Sequence, residues 1–135
     1  MSPSHFTVSI LHAAKLIEDR LESRLGEVGL SMAKHSALSR LQEAGEPLTL
    51  SELAERLSCV RSNITQLVDR LEADGLVRRV ADPTDRRSVR AELTPLGRER
   101  QAVGAAELAK VQGEISEQVG QTDMASLESA LAALS

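Results

Sequence analysis

The sequence predicts a mainly α-helical chain with one small β-hairpin, and three observations carry that prediction. Apolar residues recur at helical spacing along most of the 135 residues. Between Leu48 and Thr94, two short helical patterns precede two strand-like runs joined by an Arg-rich turn. Phe6 is the only aromatic among Phe, Trp and Tyr, so the core must be assembled from Leu, Val, Ile and Ala, which suits helix packing. The order helix, turn, helix, strand, strand describes a winged helix-turn-helix with further helices on both sides.

A first helix is expected from Phe6 to Leu25, where Phe6, Ile10, Ala13, Ala14, Ile17, Leu21 and Leu25 recur at helical spacing. Val8 and Leu11 widen its apolar stripe, giving it surface for a partner as well as for its own domain. Gly26 and Gly29 are the expected end. A second helix spans Ser31 to Ala44, with Met32, Leu38 and Leu41 inward, and Gly45 and Pro47 stop it. Thr49-Leu50-Ser51-Glu52 fits a capping box that opens a third helix, whose buried face is Leu53, Ala54 and Leu57. Ser58-Cys59-Val60 is the turn. The fourth helix runs from Arg61 to Asp74, with Ile64, Leu67, Val68 and Leu71 inward and Gly75 just past its end.

Leu76 to Val80 reads as a strand, and Asp82-Pro83-Thr84-Asp85 as turn chemistry. Val89 to Leu93 alternates apolar and charged, as a half-exposed strand should. Thr94 can cap a following helix with Pro95 in its first position. That helix should reach Val119, weakened locally by Gly104 and Gly113 and broken by Gly120. Thr122 or Asp123 caps a last short helix containing Leu127, Leu131 and Leu134.

The net charge of −4 argues at first against nucleic acid, but its distribution argues the other way. Residues 56–100 hold ten Arg and seven acids, whereas the remainder holds six basic and thirteen acidic residues. Local charge, not the total, decides phosphate binding. The scarcity of aromatics disfavours a single-strand binder, which needs stacking platforms. One cysteine, Cys59, excludes an internal disulfide framework and a Cys-rich zinc site. His5, His12 and His35 do not cluster with other ligand residues, so no metal is expected. No nucleophile–base constellation or Gly-rich phosphate loop is visible, so neither catalysis nor a cofactor is expected. The N-terminus lacks a secretion signal, and no apolar run approaches ~18 residues, so the expectation is a cytoplasmic chain without a membrane partner.

With its apolar residues facing the core, the fourth helix turns a polar face outward. Candidate DNA contacts there are Arg61, Ser62, Asn63, Thr65, Gln66 and Arg70. Such groups donate to and accept from base edges and phosphates in a major groove, and recognition helices place their N-terminal residues on the bases. The hairpin adds Arg86 and Arg87 at its tip, with Arg90 just after and Arg78 and Arg79 on its first strand. An Arg at a narrow loop tip can enter a minor groove, where negative potential concentrates. Asp85 is placed to orient one of these guanidiniums by paired hydrogen bonds.

Residues 48–97 resemble the winged-helix core of the MarR (multiple antibiotic resistance regulator) family. The resemblance rests on LTLSELAERL, NITQLVDRLEADGLVRR and DPTDRRSVRAELTPLGRE, where Asp85-x-Arg87 is the wing motif and Leu93-Thr94 with Gly97 its sequel. It implies a homodimeric transcription regulator, most simply a repressor, on a pseudo-palindromic operator in double-stranded DNA. It also implies dimerisation helices in residues 1–30 and 95–135 around a DNA-binding core at 31–94. Wing contacts carry over onto Arg87, with Arg86 as neighbour, and recognition contacts onto Ser62, Asn63, Thr65 and Gln66. The turn departs from the family pattern, because Val60 stands where a capping Ser is usual. His35 lies in a stretch where many members carry an aromatic.

Many members of the family release DNA when a small amphipathic ligand binds between dimer helices and winged core. By that resemblance, the candidate pocket residues here are His12, Lys15, Met32, His35 and Arg40, and the partner is a small-molecule effector. Cys59 is a candidate redox site, though a small apolar packing role suits it as well. The rival from another class is a winged-helix protein-interaction module without DNA function, which needs no basic surface at 61–66 and 86–90.

Overall fold

The computed structural model describes residues 3–58, 61–120 and 124–134. The first helix, α1 (Pro3–Glu27), passes through Gly26 rather than stopping there. It ends at Gly29, whose φ of 77° is left-handed. There the Leu30 amide donates to the Leu25 carbonyl (2.8 Å) and the Gly29 amide to the Gly26 carbonyl (3.1 Å). These bonds satisfy the last carbonyls of the helix, while Leu25 and Leu30 join the core beneath. The next helix, α2 (Met32–Ala44), is capped from two directions. The Ser31 hydroxyl accepts from the Lys34 amide at 3.1 Å, and Glu22 of α1 accepts from the Met32 amide at 2.6 Å.

A two-residue strand, β1 (Leu48–Thr49), was not legible as an element. It is too short to show alternation, and it pairs because Leu48 is buried opposite Ala91. Thr49 then caps α3 (Leu50–Leu57), and both capping-box bonds form at 3.1 Å. Ser58 ends α3 with φ 55°, the one positive φ at a non-glycine among the described residues. Cys59 and Val60 lie outside the described residues, and so does the redox candidate. The fourth helix, α4 (Arg61–Ala73), buries Ile64, Val68 and Leu71 and half-buries Leu67, as its spacing predicts. It ends at Gly75 by the same device as α1, with the Leu76 amide on the Leu71 carbonyl and the Gly75 amide on that of Glu72, both at 2.9 Å.

The expected hairpin is present as β2 (Val77–Ala81) and β3 (Val89–Leu93). With β1 on the far side of β3, it is part of a three-stranded antiparallel sheet rather than an isolated pair. The long helix α5 (Pro95–Val119) opens at Thr94, whose hydroxyl accepts from the Gly97 amide at 3.0 Å and donates to the Gly75 carbonyl at 2.7 Å. Gly97 lies so close to the Leu76 carbonyl that no side chain fits. Gly104 is also a contact point. A Cβ there would lie 2.5 Å from Nδ1 of His35 and 2.9 Å from Leu30, so glycine lets α5 approach α2. The last helix is α6 (Met124–Ala132).

The core joins α1 to α5 through the winged unit: Leu25, Leu38, Leu53, Ile64, Leu71 and Leu76 are fully buried in it or at its edge. Apolar side chains are left outside at both termini. Phe6 (58%) and Leu11 (65%) are exposed on α1, as are Leu127 and Leu131 on α6. Among the described residues, no helix is long and apolar enough to cross a membrane.

Candidate nucleic-acid interface

The buried stripe of α4 dictates its other face, where Asn63, Thr65, Gln66 and Arg70 are exposed. Arg61 and Ser62 open the helix, and their side chains lie outside the described set. The acids of α4 face other cations of the protein. Asp69 and Glu72 hold the Arg79 guanidinium at 2.5 and 2.7 Å, and Asp74 holds Lys34 at 2.8 Å. Arg78 pairs across the strands with Glu92 at 3.1 Å. Arg78 and Arg79 therefore tie β2 to its neighbours. Arg56, Arg70, Arg86 and Arg87 are exposed, and they form no ion pair among the described residues.

The wing spans the turn between β2 and β3. Its tip, Pro83 to Arg87, is exposed throughout. Asp85 does not orient a guanidinium: its carboxylate accepts from the Arg87 backbone amide at 2.9 Å, and the Ser88 amide donates to the Asp85 carbonyl at 3.1 Å. It shapes the main chain from which Arg86 and Arg87 project. Arg90 also differs from expectation. Its side chain is half-buried, with Nε 3.4 Å from Asp82 and Nη1 donating to the Pro47 carbonyl at 3.2 Å. It is held inward while Arg86 and Arg87 face solvent.

Asp82 was read from the sequence only as a turn residue. It is 7% exposed, and its Oδ1 accepts from both the amide and the hydroxyl of Thr84 at 2.9 Å. Those two bonds first, and the Arg90 charge after them, hold its carboxyl below the usual carboxylate range. The Asp-x-Thr spacing straight after a strand was the available signal.

The five candidate pocket residues are not gathered in one place. His12 is exposed on α1, and Lys15 pairs with Asp19 on the same helix at 2.8 Å. His35 is buried under α5, its Nε2 3.3 Å from the Ser39 hydroxyl and its Nδ1 without a partner. Burial pushes its pKa down from the ordinary imidazole value. Met32 and Arg40 do meet, lining a crevice of about 400 Å³ with Arg56, Leu57 and Leu67. Met32 also borders an apolar cleft of about 270 Å³ with Ile17, Leu21, Leu108 and Val111. Arg56, Leu57 and Leu67 escaped sequence reasoning because α3 and α4 bring them to Met32 and Arg40 of α2 only in the fold. Among the described residues, no His, Cys, Asp and Glu cluster could hold a metal.

The family model described as the MarR family matches residues 30–89, from the start of α2 through the wing. The chain belongs to the MarR family. Its fold is the winged-helix DNA-binding fold of that family. Over 89 residues, this MarR-family chain is 35% identical to YsmB, an uncharacterized HTH-type transcriptional regulator of Bacillus subtilis, an alignment covering 66% of this chain and 60% of YsmB. The chain spans about half to three fifths of the length of such curated relatives. CouR of Rhodococcus jostii RHA1, solved bound to p-coumaroyl-CoA, is 25% identical with a TM-score of 0.78, covering 98% of this chain and 90% of CouR. A mutant MarR from Escherichia coli, solved with operator DNA, shares the fold at a TM-score of 0.82 and 22% identity, covering 95% of this chain and 91% of that one.

Proposed function

We propose that this MarR-family chain is a homodimeric repressor that binds a pseudo-palindromic duplex and releases it when a small amphipathic effector binds. One observation carries the DNA reading. Asn63, Thr65, Gln66 and Arg70 on α4 and Arg86 and Arg87 at the wing tip are uncovered on one unit, while neighbouring cations are neutralised internally. The recognition helix would enter a major groove and Arg87 the flanking minor groove, with half-sites about 10 base pairs apart. That a MarR of the same fold has been solved with operator DNA supports this.

The exposed apolar residues of α1 and α6 support dimerisation through residues 1–30 and 95–135, with 31–94 as the reading unit. The crevice lined by Met32, Arg40, Arg56, Leu57 and Leu67 supports an effector with an anionic end and an apolar body. It lies where α2 meets α3 and α4, so a molecule wedged there respaces the recognition helices. It relieves repression only by favouring that altered dimer. His12, Lys15 and His35 have no part in this crevice. A repressor that works in this way acts in the cytoplasm.

The test is a gel shift of the full chain at low salt on the DNA upstream of its own gene, beside sedimentation of the same sample. A dimer that shifts this duplex and loses it as salt rises is expected. A folded dimer that shifts no duplex sinks the DNA reading, and a monomer at micromolar concentration sinks the palindrome.

A further inference from the structure

A loop tip with two free guanidiniums is useful on DNA only if something fixes its pitch. The base of this wing holds an arrangement that does so. Asp82, the first residue after β2, is buried although the five residues after it are exposed. Its amide donates to the Ser88 carbonyl at 3.3 Å, closing the loop. Its carboxylate is divided between two duties: one oxygen takes both Thr84 bonds, and the other faces Arg90 at 3.4 Å. Arg90 in turn stands on β3 between Val80 of β2 and Thr49 of β1, and it reaches the Pro47 carbonyl in the connection from α2. A buried carboxylate is tolerated only when paired and hydrogen-bonded, and this one is both.

We infer that Asp82 and Arg90 are positioning residues for DNA binding, a latch that pins the wing to the α2–β1 connection and thereby aims Arg87. Both sides of the wing meet at this ion pair, and Arg90 ties it to the distant connection at Pro47. Losing it frees the wing to swing about its two strands while leaving the core of α4 intact. The inference rests on the DNA reading above. It differs from a contact role, because neither side chain is presented outward with Arg86 and Arg87.

The experiment uses the full chain and a duplex that the wild-type chain selects from a random-sequence pool. Failure to select any duplex counts against the DNA reading itself; the latch is judged on a duplex that is selected. Asp82→Asn keeps the Thr84 bonds and removes the charge facing Arg90. Arg90→Gln removes the other half, and Arg87→Ala is the benchmark. Each is expected to weaken binding about tenfold. Hydroxyl-radical protection of the flanking minor groove should fade while major-groove guanine protection persists. Adding Arg87→Ala to Asp82→Asn should cause little further loss, because both act through one contact. Additive losses, an unchanged minor-groove footprint, or parallel loss in both grooves would each overturn the latch. If Asp82→Asn loses its helical circular dichroism, Arg90→Gln, which leaves the Asp82 carboxylate its Thr84 bonds, is read in its place. Unfolding of both variants would overturn the positioning role in favour of a folding role.

Discussion

Gly104 and Gly113 stand on one helix, and alanine should move them in opposite directions. A helical Gly→Ala change gains about 1 kcal/mol from reduced chain entropy when the new methyl meets nothing. Nothing lies within 4 Å of a Cβ built at Gly113, so it should gain that full amount. For a chain of this size the melting point should rise by about 3–5 °C. At Gly104 the same methyl would sit 2.5 Å from Nδ1 of His35 and 2.9 Å from Leu30. Both side chains are buried, so α2 and α5 must separate, and overpacking of this kind costs about 1–3 kcal/mol. Less the helical gain, Gly104→Ala should lose up to about 2 kcal/mol. Urea and thermal unfolding at one fixed protein concentration, which a dimer requires, measure both changes. His35→Ala should recover part of the loss in Gly104→Ala, since it vacates the space the methyl needs. A Gly104→Ala protein as stable as Gly113→Ala would refute the close approach of the two helices.

Three further expectations concern the wing, the turn and the buried imidazole. Arg87→Ala should weaken duplex binding and lower the salt slope by about one unit per protomer, read from gel shifts over a salt series; an unchanged slope removes the wing from the interface. Ser58→Gly should stabilise by about 0.5–1 kcal/mol in urea, because relief of a left-handed backbone (φ 55°) outweighs the freer unfolded chain; a loss there would show that the serine side chain matters. For His35, burial depresses the folded pKa below its ordinary value of 6.5, so the unfolded chain binds the proton more readily. Stability is therefore complete above pH 6.5 and falls as pH drops through that value. Urea midpoints at pH 7.5 and 5.5 should diverge more in the wild type than in His35→Gln, and equal divergence would acquit the imidazole.

The helices were legible because their signals are local. Ile64, Leu67, Val68 and Leu71 repeat at helical spacing, Thr49 and Glu52 fit a capping box, and Gly75 ends α4 in the left-handed conformation its position suggests. What escaped depends on contacts between distant segments. A two-residue strand has no period, so β1 appears only once Leu48 meets Ala91. Gly104 looks like a weak point in a helix until His35 is packed against it. Counting Arg from 56 to 100 located the basic region, but it could not distinguish Arg79, held by Asp69 and Glu72, from Arg87, which is uncovered. Arg90 and Asp82 both depart from the roles their sequence neighbourhood suggests, because the ion pair between them spans the base of a loop.

The junction of α4 with α5 has a mechanical consequence. Thr94 binds the Gly75 carbonyl and Gly97 abuts Leu76, so little slack separates the reading helix from the long helix behind it. A helix of 25 residues is about 37 Å long. In the proposed dimer it acts as a lever, and a tilt of about 5° at its far end carries the reading helix through about 3 Å. That is close to the ~3.4 Å step between successive base pairs. A displacement too small to disturb packing at the fulcrum is thus enough to put two recognition helices out of step with their half-sites by one base pair.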